Sequence, residues 1–463
     1  MTGRAVSEPF QPSPTEQALW VTFPSRERSR LEPTLPPAVP TNLWRASHHS
    51  AVVRPPLEQD ASCDMLVIGG GYTGCSAALE AACSGASVMV LEADTVGHGG
   101  SGRNVGLVNA GLWLPPDDIA EALGADAGRV LTEALATAPD LVFELIGRHG
   151  IECEAIRAGS LHLAHSQRGL RDLQVRFRQG NRLGAPLEML DAAETTRRTK
   201  TSAYHGALFD PRAGTIQPLA YCRGLARAAE DAGARFYEAT QVTAVRHTDG
   251  QWLIEANGHS VRAEQLLIAT NAYGRALTGG LGRQFVPVHF SQFATRPLSD
   301  AERAAILPGG EGCWDTDQVM TAFRLDLAGR LILGGVGNLA GMGGAMHAAW
   351  AARKLARLFP ALAGEPFEHS WEGAIAMTAD HLPKVVAPGP DALSVFGYSG
   401  RGIGPGTVFG RAAARALLTG DAKHLPLAVS ESYNERGKRV RHAVYETGAI
   451  LAHFVGASRI LPS

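Results

Sequence analysis

Short apolar runs that end in glycine alternate along this chain with stretches of helical spacing. Met65 to Ile68 is such a run, fit for a buried parallel strand, and Ser87 to Leu91 is a second. Between them, Gly74 to Ser84 carries Cys75, Ser76, Ala77, Ala78, Ala81 and Ala82, which predicts a helix packed closely on a sheet and closed by Gly85. From Pro116 to Gly150, Ile119, Leu123, Leu131, Leu135 and Leu145 recur at three- and four-residue steps, so the stretch predicts helix, broken in two by Pro139. Gly159 to Ala164 predicts a strand, Leu170 to Leu183 a charged helix, Phe209 to Gln217 an irregular turn, and Leu219 to Ala232 another helix ending at Gly233. Ala234 to Tyr237 then predicts a third strand of the parallel sheet. Val242 to Arg246 and Trp252 to Ala256 form a hairpin through Thr248, Asp249 and Gly250, and Leu266 to Ala269 delivers Thr270 and Asn271 from a strand's carboxyl end.

From Val286 onward the pattern changes. Val286 to Thr295, Val319 to Leu325 and Arg330 to Leu333 alternate without helices between them, which predicts an antiparallel sheet and hence a separate domain. A helix from Ala345 to Phe359 follows. Leu393 to Phe396 then runs into the glycine-rich Gly397 to Gly406, and Thr407 to Leu418 is an alanine-rich helix. Met1 to Ala61 is rich in proline and charge and reads as an extended arm, with a short helix at Glu16 to Phe23 and with Leu43, Trp44, Val52 and Val53 pinning it to the body. Glu431 to Ser463 reads as a helix containing Ile450, Leu451, Phe454 and Val455. The fold class is therefore α/β with an α+β second domain: a Rossmann-like unit beside an antiparallel sheet.

At 463 residues and 45% hydrophobic content the chain can bury two ordinary cores. The net charge of −2 is made of mixed signs, leaving no footprint for nucleic acid or anionic membrane and pointing to a small-molecule partner. Oligomeric state, monomer or homodimer, is not legible. Six cysteines without C-x-x-C or metal-ligand spacing suggest a reducing compartment and no metal. With no apolar run of bilayer length and no secretion-signal pattern, a soluble cytoplasmic protein is expected.

Gly69, Gly71 and Gly74 stand at G-x-G-x-x-G spacing after the first strand. The first allows a tight turn, the second lets the backbone approach a pyrophosphate, and the third lets the helix pack on the strand. Helix N–H groups then face the phosphates. Glu92, at the carboxyl end of the second strand, is placed to accept ribose hydroxyls and argues against a 2′-phosphate, so FAD and NAD both fit and NADP does not. Val96 to Gly106 adds five glycines around Ser101, Arg103 and Asn104, a density that brings backbone to a ligand. Gly335, Gly337 and Ala340 imitate the fingerprint, but no second strand ending in an acid follows them, and a glycine turn between strand and helix is the better reading. Gly397 to Gly406, before a helix, repeats the logic of the first turn.

In DMLVIGGGYTG, GGSGRNVGLV, QLLIATNAY, RLILGG, WEGAIAMTADHLP and GYSGRGIGPG, taken in that order, the chain resembles the D-amino-acid oxidase family of flavoproteins, and most of all its γ-glutamylputrescine oxidase-like members. The resemblance covers about Trp44 to Leu418. It implies FAD, with Gly69, Gly71 and Gly74 on the pyrophosphate together with Tyr72 and Thr73 of the same turn, and Glu92 with Ala93 on the adenosine ribose. Gly100, Ser101, Arg103 and Asn104 fall at the pyrophosphate and flavin edge, Val242 at the adenine, and Thr270 and Asn271 near the phosphates. Gly400, Arg401, Gly402, Ile403 and Gly404, with Pro405, line the flavin. Two departures stand out. Where relatives that bind α-amino acids carry arginine, two places after the glycine of W-x-G, this chain has Ile375, and where they commonly carry histidine it has Arg401. Relatives that tether flavin use a cysteine in the stretch Gly373 to Asp380 or a histidine where Asn104 falls. Both are missing here, so noncovalent FAD is expected, with His98 the one residue able to upset it.

The implied activity is oxidation of a C–N bond by hydride transfer to flavin, the imine then being hydrolysed. The substrate would be an amine, or an N-substituted or γ-glutamylated amine. His289, Arg324 and Tyr398 are the candidates for the catalytic pocket, since they lie on the antiparallel sheet or the late glycine loop. Two other readings remain: a nicotinamide-dependent dehydrogenase, and a flavin-bearing subunit of a larger dehydrogenase complex. The expected organisation is an arm at 1–61, an FAD-binding domain at 62–115, 205–282 and 376–430, a substrate domain at 116–204 and 283–375, and a C-terminal helical segment at 431–463.

Overall fold

Alternate residues of the strand Ala61–Ile68 face two different cores, which is why it reads as one uninterrupted apolar run. Met65 and Val67 pack among the helices Tyr72–Cys83, Pro218–Asp231 and Ile403–Thr419, whereas Leu66 and Ile68 pack with Trp252 and Ile254 of the hairpin beneath. The computed structural model in which this is seen describes residues 41–48, 52–274, 284–340 and 343–435, with 437, 440–445, 447–449 and 453. The first 40 residues of the expected arm, its helix at Glu16 to Phe23 included, lie outside the described residues, as do Ile450, Leu451, Phe454 and Val455.

The first sheet runs in the order Lys384–Val386, Ala392–Phe396, His259–Ile268, Ala61–Ile68, Val88–Leu91, Arg235–Tyr237. All neighbours from Ala392–Phe396 to Arg235–Tyr237 are parallel. Strand His259–Ile268 is longer than its pattern predicts because its first half also pairs, antiparallel, with Gln251–Ala256. Helices Tyr72–Cys83 and Ile403–Thr419 cross almost without side chains between them. A Cβ on Gly410 would lie 2.2 Å from the Thr73 carbonyl oxygen, so the small residues of both helices are a packing requirement.

Several boundaries differ from expectation for local reasons. The first helix begins at Tyr72, with Gly71 as its N-cap, and the last begins at Ile403 rather than at Thr407. Pro405 is tolerated there because the first turn of a helix has no use for its missing N–H. The same rule corrects the expectation for 116–150: Pro139 starts the helix Ala138–Arg148, and the breaks fall at Gly124 and Thr137.

The second sheet is ordered His369–Met377, Val286–Pro297, Arg330–Val336, Thr321–Leu325, Gly312–Asp315, Ser160–Leu163, Ala207–Asp210, Glu188–Leu190. It is antiparallel save for Gly312–Asp315 beside Ser160–Leu163. Part of the expected irregular turn at 209–217 thus belongs to strands, Ala207–Asp210 in this sheet and Gly214–Thr215 against Leu107–Val108. Helix Gly344–Leu358 covers one face, where Leu355 and Leu358 pack with Phe293, Phe323, Leu331 and Leu333. The opposite face looks onto a cavity.

Candidate active site

That cavity measures about 1020 Å³ and is walled by both sheets. It lies at the upper end of the range for small-molecule sites, roughly 300–1,000 Å³. Both glycine turns open onto it, Gly69 to Thr73 from the first sheet and Gly400 to Gly404 from the last helix. The glycines serve different ends. Gly69 has φ +108°, and a Cβ there would stand 2.9 Å from the Ala269 carbonyl oxygen, so the turn admits no side chain. On Gly402 a Cβ would meet nothing within 4 Å; its absence leaves room for a ligand. Gly74 lines no part of the cavity. A Cβ on it would fall 1.9 Å from Gly69 O, the close helix-to-strand approach expected of the third glycine.

At the end nearest the first turn, Glu92 Oε2 accepts the Gly70 N–H at 2.7 Å and Oε1 accepts that of Asp94 at 3.0 Å. Burial raises the Glu92 pKa against the pull of these two donors. Ala93, Val242, Thr270 and Asn271 line the same end. Ser101 Oγ accepts the Tyr72 N–H at 3.1 Å, tying the second glycine loop to the first helix's N-terminus. A glycine-cleared turn, a helix N-terminus and an acid at the next strand's end suit a dinucleotide with a free ribose 2′-hydroxyl.

The loop that follows is held carbonyl by carbonyl. Gly102 O accepts from Asn42 Nδ2 at 2.9 Å, Arg103 O from Trp371 Nε1 at 2.8 Å, Asn104 O from Trp44 Nε1 at 2.9 Å, and Val105 O from Arg324 Nε at 2.7 Å. Four donors from three elements, the helix Leu43–Ser47 with its N-cap Asn42 and two strands of the second sheet, fix four consecutive peptides. Asn104 completes the frame, its Nδ2 donating to Gly100 O and its Oδ1 accepting the Gly106 N–H.

This corrects one expectation about Arg324. Its other nitrogens donate to Ile216 O and Leu325 O, its guanidinium lies over the Trp44 ring, and it does not line the cavity. Burial pushes it down to about 10, so it stays charged at neutral pH. His289 also misses the cavity. Val288, Phe290 and Gln292 of its strand line it, and the one-residue offset turns His289 to the other face, toward His442 and Asn338. Arg103 lies outside the lining as well, its guanidinium spent on His98 and Glu372 O. Tyr398 does line the cavity, its hydroxyl 2.8 Å from Thr73 Oγ1, and burial raises its pKa so that it remains neutral.

Beyond Tyr398 the wall comes from the second sheet and is apolar and aromatic. Trp314 is the residue sequence reasoning missed, on a strand too short to announce itself. It stacks on His162 with centroids 3.3 Å apart, meets Trp113 at 5.4 Å, and lies under the Arg401 guanidinium at 4.6 Å. Arg401 Nη1 donates to Ala110 O at 2.7 Å. Burial, then Arg176, lower it to about 9; burial, then the same two guanidiniums, hold His162 well below its usual value and therefore neutral. The glycines of the imitation fingerprint make room for a helix: Cβ atoms on Gly335 and Gly337 would strike Trp350 and His347 of Gly344–Leu358.

A parallel sheet with a dinucleotide turn, set against an antiparallel sheet with a deep apolar chamber between them, defines a nucleotide-cofactor oxidoreductase. Residues 64–416 match the family model described as FAD dependent oxidoreductase (DAO), and the chain belongs to that family. FAD is its cofactor. The chain is 32% identical over 377 residues to gamma-glutamylputrescine oxidoreductase of Escherichia coli (strain K12), covering 79% of this chain and 86% of that one. It is 26% identical over 325 residues to glycine oxidase of Geobacillus kaustophilus (strain HTA426), covering 69% and 83%. The crystal structure of glycine oxidase from Geobacillus kaustophilus superposes with a TM-score of 0.64 at 22% identity, over 78% of this chain and 95% of that one, a likeness of fold.

Among the described residues no helix is long and apolar enough to cross a membrane. All six cysteines are free.

Proposed function

We propose that this enzyme oxidises the C–N bond of an amine, or of an N-substituted or γ-glutamylated amine, with FAD bound noncovalently. The observation that carries the reading is the single cavity onto which both glycine turns open: one extended cofactor can touch Gly69 to Thr73, Ser101 and Asn104 at one end and Gly400 to Gly404 at the other. Glu92 would take the ribose hydroxyls, and Val242 the adenine. FAD held there would supply the two-electron oxidant for the carbon beside nitrogen, and hydrolysis of the resulting imine would give a carbonyl compound and a smaller amine. The chain's own part is orientation and exclusion of water. Phe290, Met320 and Ile375 supply an apolar wall, and neutral Tyr398 holds Thr73 at the helix start that faces the cofactor.

Noncovalent binding is supported by the lining, which contains no cysteine among the described residues, and by Asn104, an amide engaged with backbone and with the Tyr72 hydroxyl. His98 lines the cavity but is engaged by Asp94 at 2.7 Å and Arg45 at 2.8 Å. The cytoplasmic location, supported by the free thiols, belongs to the same proposal, as does the division into an FAD-binding and a substrate domain, which the two sheets support except that 207–210 goes with the substrate domain, since Ala207–Asp210 pairs with Ser160–Leu163. The test is the visible spectrum of the purified protein, followed by anaerobic titration with polyamines, γ-glutamylamines, N-methyl amino acids and D-amino acids. Bleaching of the flavin band by a secondary or γ-glutamylated amine is expected; bleaching by simple D-amino acids alone would overturn the substrate class, and yellow colour in an acid-precipitated pellet would overturn noncovalent binding.

A further inference from the structure

Charge is distributed unevenly along the cavity. The acidic residues among those lining it, Glu92 and Asp94, both stand at the end of the first glycine turn. At the opposite end the lining carries Arg401 and no acid. Arg401 is half-buried, enclosed by protein yet facing the cavity, and among the described residues its hydrogen bonding is limited to Nη1 with Ala110 O. The carboxylate whose field reaches it, Asp210, is already occupied, its two oxygens held by Arg212 Nη2 at 2.7 Å and Nε at 2.9 Å. Behind the wall Arg176 lies in the fields of Asp118 and Asp172 without a salt bridge among the described residues, and neutral His162 contributes no charge. The cavity lining also holds two buried polar atoms without partners, Trp314 Nε1 on the ring beneath Arg401 and Gln292 Oε1 elsewhere on the second sheet. A planar guanidinium laid on an indole, with N–H groups free toward a low-dielectric chamber, is a carboxylate receptor in geometry and charge.

We infer that Arg401 is a specificity-determining residue that binds a carboxylate of the substrate, from a position on the late glycine loop rather than on the sheet where Ile375 stands. The inference rests on the amine-oxidation reading and narrows it: a polyamine with a free ammonium at this end meets the Arg401 guanidinium and no lining acid, whereas an amine carrying a carboxylate meets its complement.

The experiment uses matched pairs on the purified flavoprotein, N-methylglycine against N-methylglycinamide and a γ-glutamyl alkylamine against its α-amide, with anaerobic bleaching as readout. The carboxylate member of a pair is expected to reach half-bleaching at a concentration about 10- to 100-fold lower than its amide, the worth of a charge-assisted hydrogen bond. In Arg401→Gln the two should coincide, and Arg401→Lys should keep part of the difference. Independently of turnover, straight-chain carboxylates should perturb the flavin spectrum of the wild type and lose about 10-fold or more in affinity in Arg401→Gln. If no amine of either kind bleaches the flavin, the amine reading fails, and this spectral binding alone decides the carboxylate site. Equal response to acid and amide in the wild type, or an undiminished preference in Arg401→Gln, overturns the inference. So does an Arg401→Gln variant whose flavin potential shifts while both members of each pair weaken equally, since the guanidinium would then serve the cofactor.

Discussion

Trp44 donates its indole N–H to the carbonyl oxygen of Asn104 at 2.9 Å, joining residues 60 positions apart in sequence. Trp44 precedes the dinucleotide fold, is fully buried between Trp371 and Arg324, and belongs to the five-residue helix Leu43–Ser47. The glycine loop at 99–106 has few side chains with which to hold itself, so its shape is imposed from outside.

Removing that hold should loosen the cofactor before it alters the chemistry. Trp44→Phe keeps most of the packing and deletes the hydrogen bond, which costs about 1 kcal/mol in stability. Trp44→Ala leaves a cavity at about 3–5 kcal/mol. The expected result is a lower flavin-to-protein absorbance ratio after gel filtration, graded Phe then Ala, with a falling Tm. Full flavin retention in Trp44→Ala would show that the loop keeps its own shape.

Arg324→Met tests whether this arginine serves the loop or the substrate. The change strands the part-buried carbonyl oxygen of Val105 and the buried one of Ile216, the latter at about 1–3 kcal/mol. Stability and FAD affinity should both fall, while KM for the best amine, measured in excess FAD, should stay within about threefold of the wild type. A selective rise in KM with unchanged flavin binding would return Arg324 to the pocket.

What could be read from sequence was what is local. The unit from Met65 to Glu92 contains its own strand, turn, helix and acid within 28 residues, so each feature checks its neighbours, and only boundaries moved: the strand starts earlier, at Ala61, the helix runs from Tyr72 to Cys83, and the second strand starts at Val88. His289 shows a signal that was present and unused: on a strand whose alternate residues Val288, Phe290 and Gln292 share a face, the residue between them must point the other way. Arg324 fails for another reason. An arginine on a strand reads as exposed or catalytic unless a tryptophan from an unrelated stretch covers it, and nothing near Arg324 in sequence announces Trp44. The Trp314 stack with His162 and Arg401 is likewise assembled from three distant segments.

Glu92 couples cofactor binding to pH. Burial raises its pKa above that of a free carboxylate, so its folded-state contribution is complete below the ordinary value of roughly 4.3 and is lost as pH rises through the folded value. Glu92→Gln has no such ionisation. Apoprotein stability followed by urea unfolding should therefore decline from acid toward neutral pH more steeply in the wild type than in the variant. FAD affinity should show the opposite preference, weakening about 10-fold or more in the variant through loss of the charged acceptor. Identical pH slopes for the two apoproteins would remove the buried-carboxylate account.

Tyr398→Phe separates positioning from proton transfer. The phenol is buried, its pKa is raised, and it shares one hydrogen bond with Thr73 Oγ1 at 2.8 Å. The variant should lose about 0.5–1.5 kcal/mol of stability. The pH dependence of its kcat/KM should overlay that of the wild type, because a phenol that stays neutral contributes no titration in the working range. An ionisation that disappears from the profile would make Tyr398 a proton donor or acceptor.

Two glycines in the same pair of turns should respond oppositely to one added methyl group. In Gly74→Ala the new Cβ would sit 1.9 Å from the Gly69 carbonyl oxygen, an overlap no rotamer relieves because a Cβ has none, so the helix must lift from the strand. That protein is expected to fail to fold, or to fold without its cofactor turn. In Gly402→Ala the Cβ meets no protein atom within 4 Å, and Gly402 lines the cavity at the start of the last helix. This variant should fold with a Tm within a few degrees of the wild-type apoprotein and yet bind FAD more weakly, because the methyl occupies space the chain leaves for a ligand. Measuring apoprotein Tm and FAD affinity on both variants distinguishes a glycine required by the fold from one required by the cofactor, and a Gly402→Ala protein that binds FAD as tightly as the wild type would mean that the late turn does not touch it.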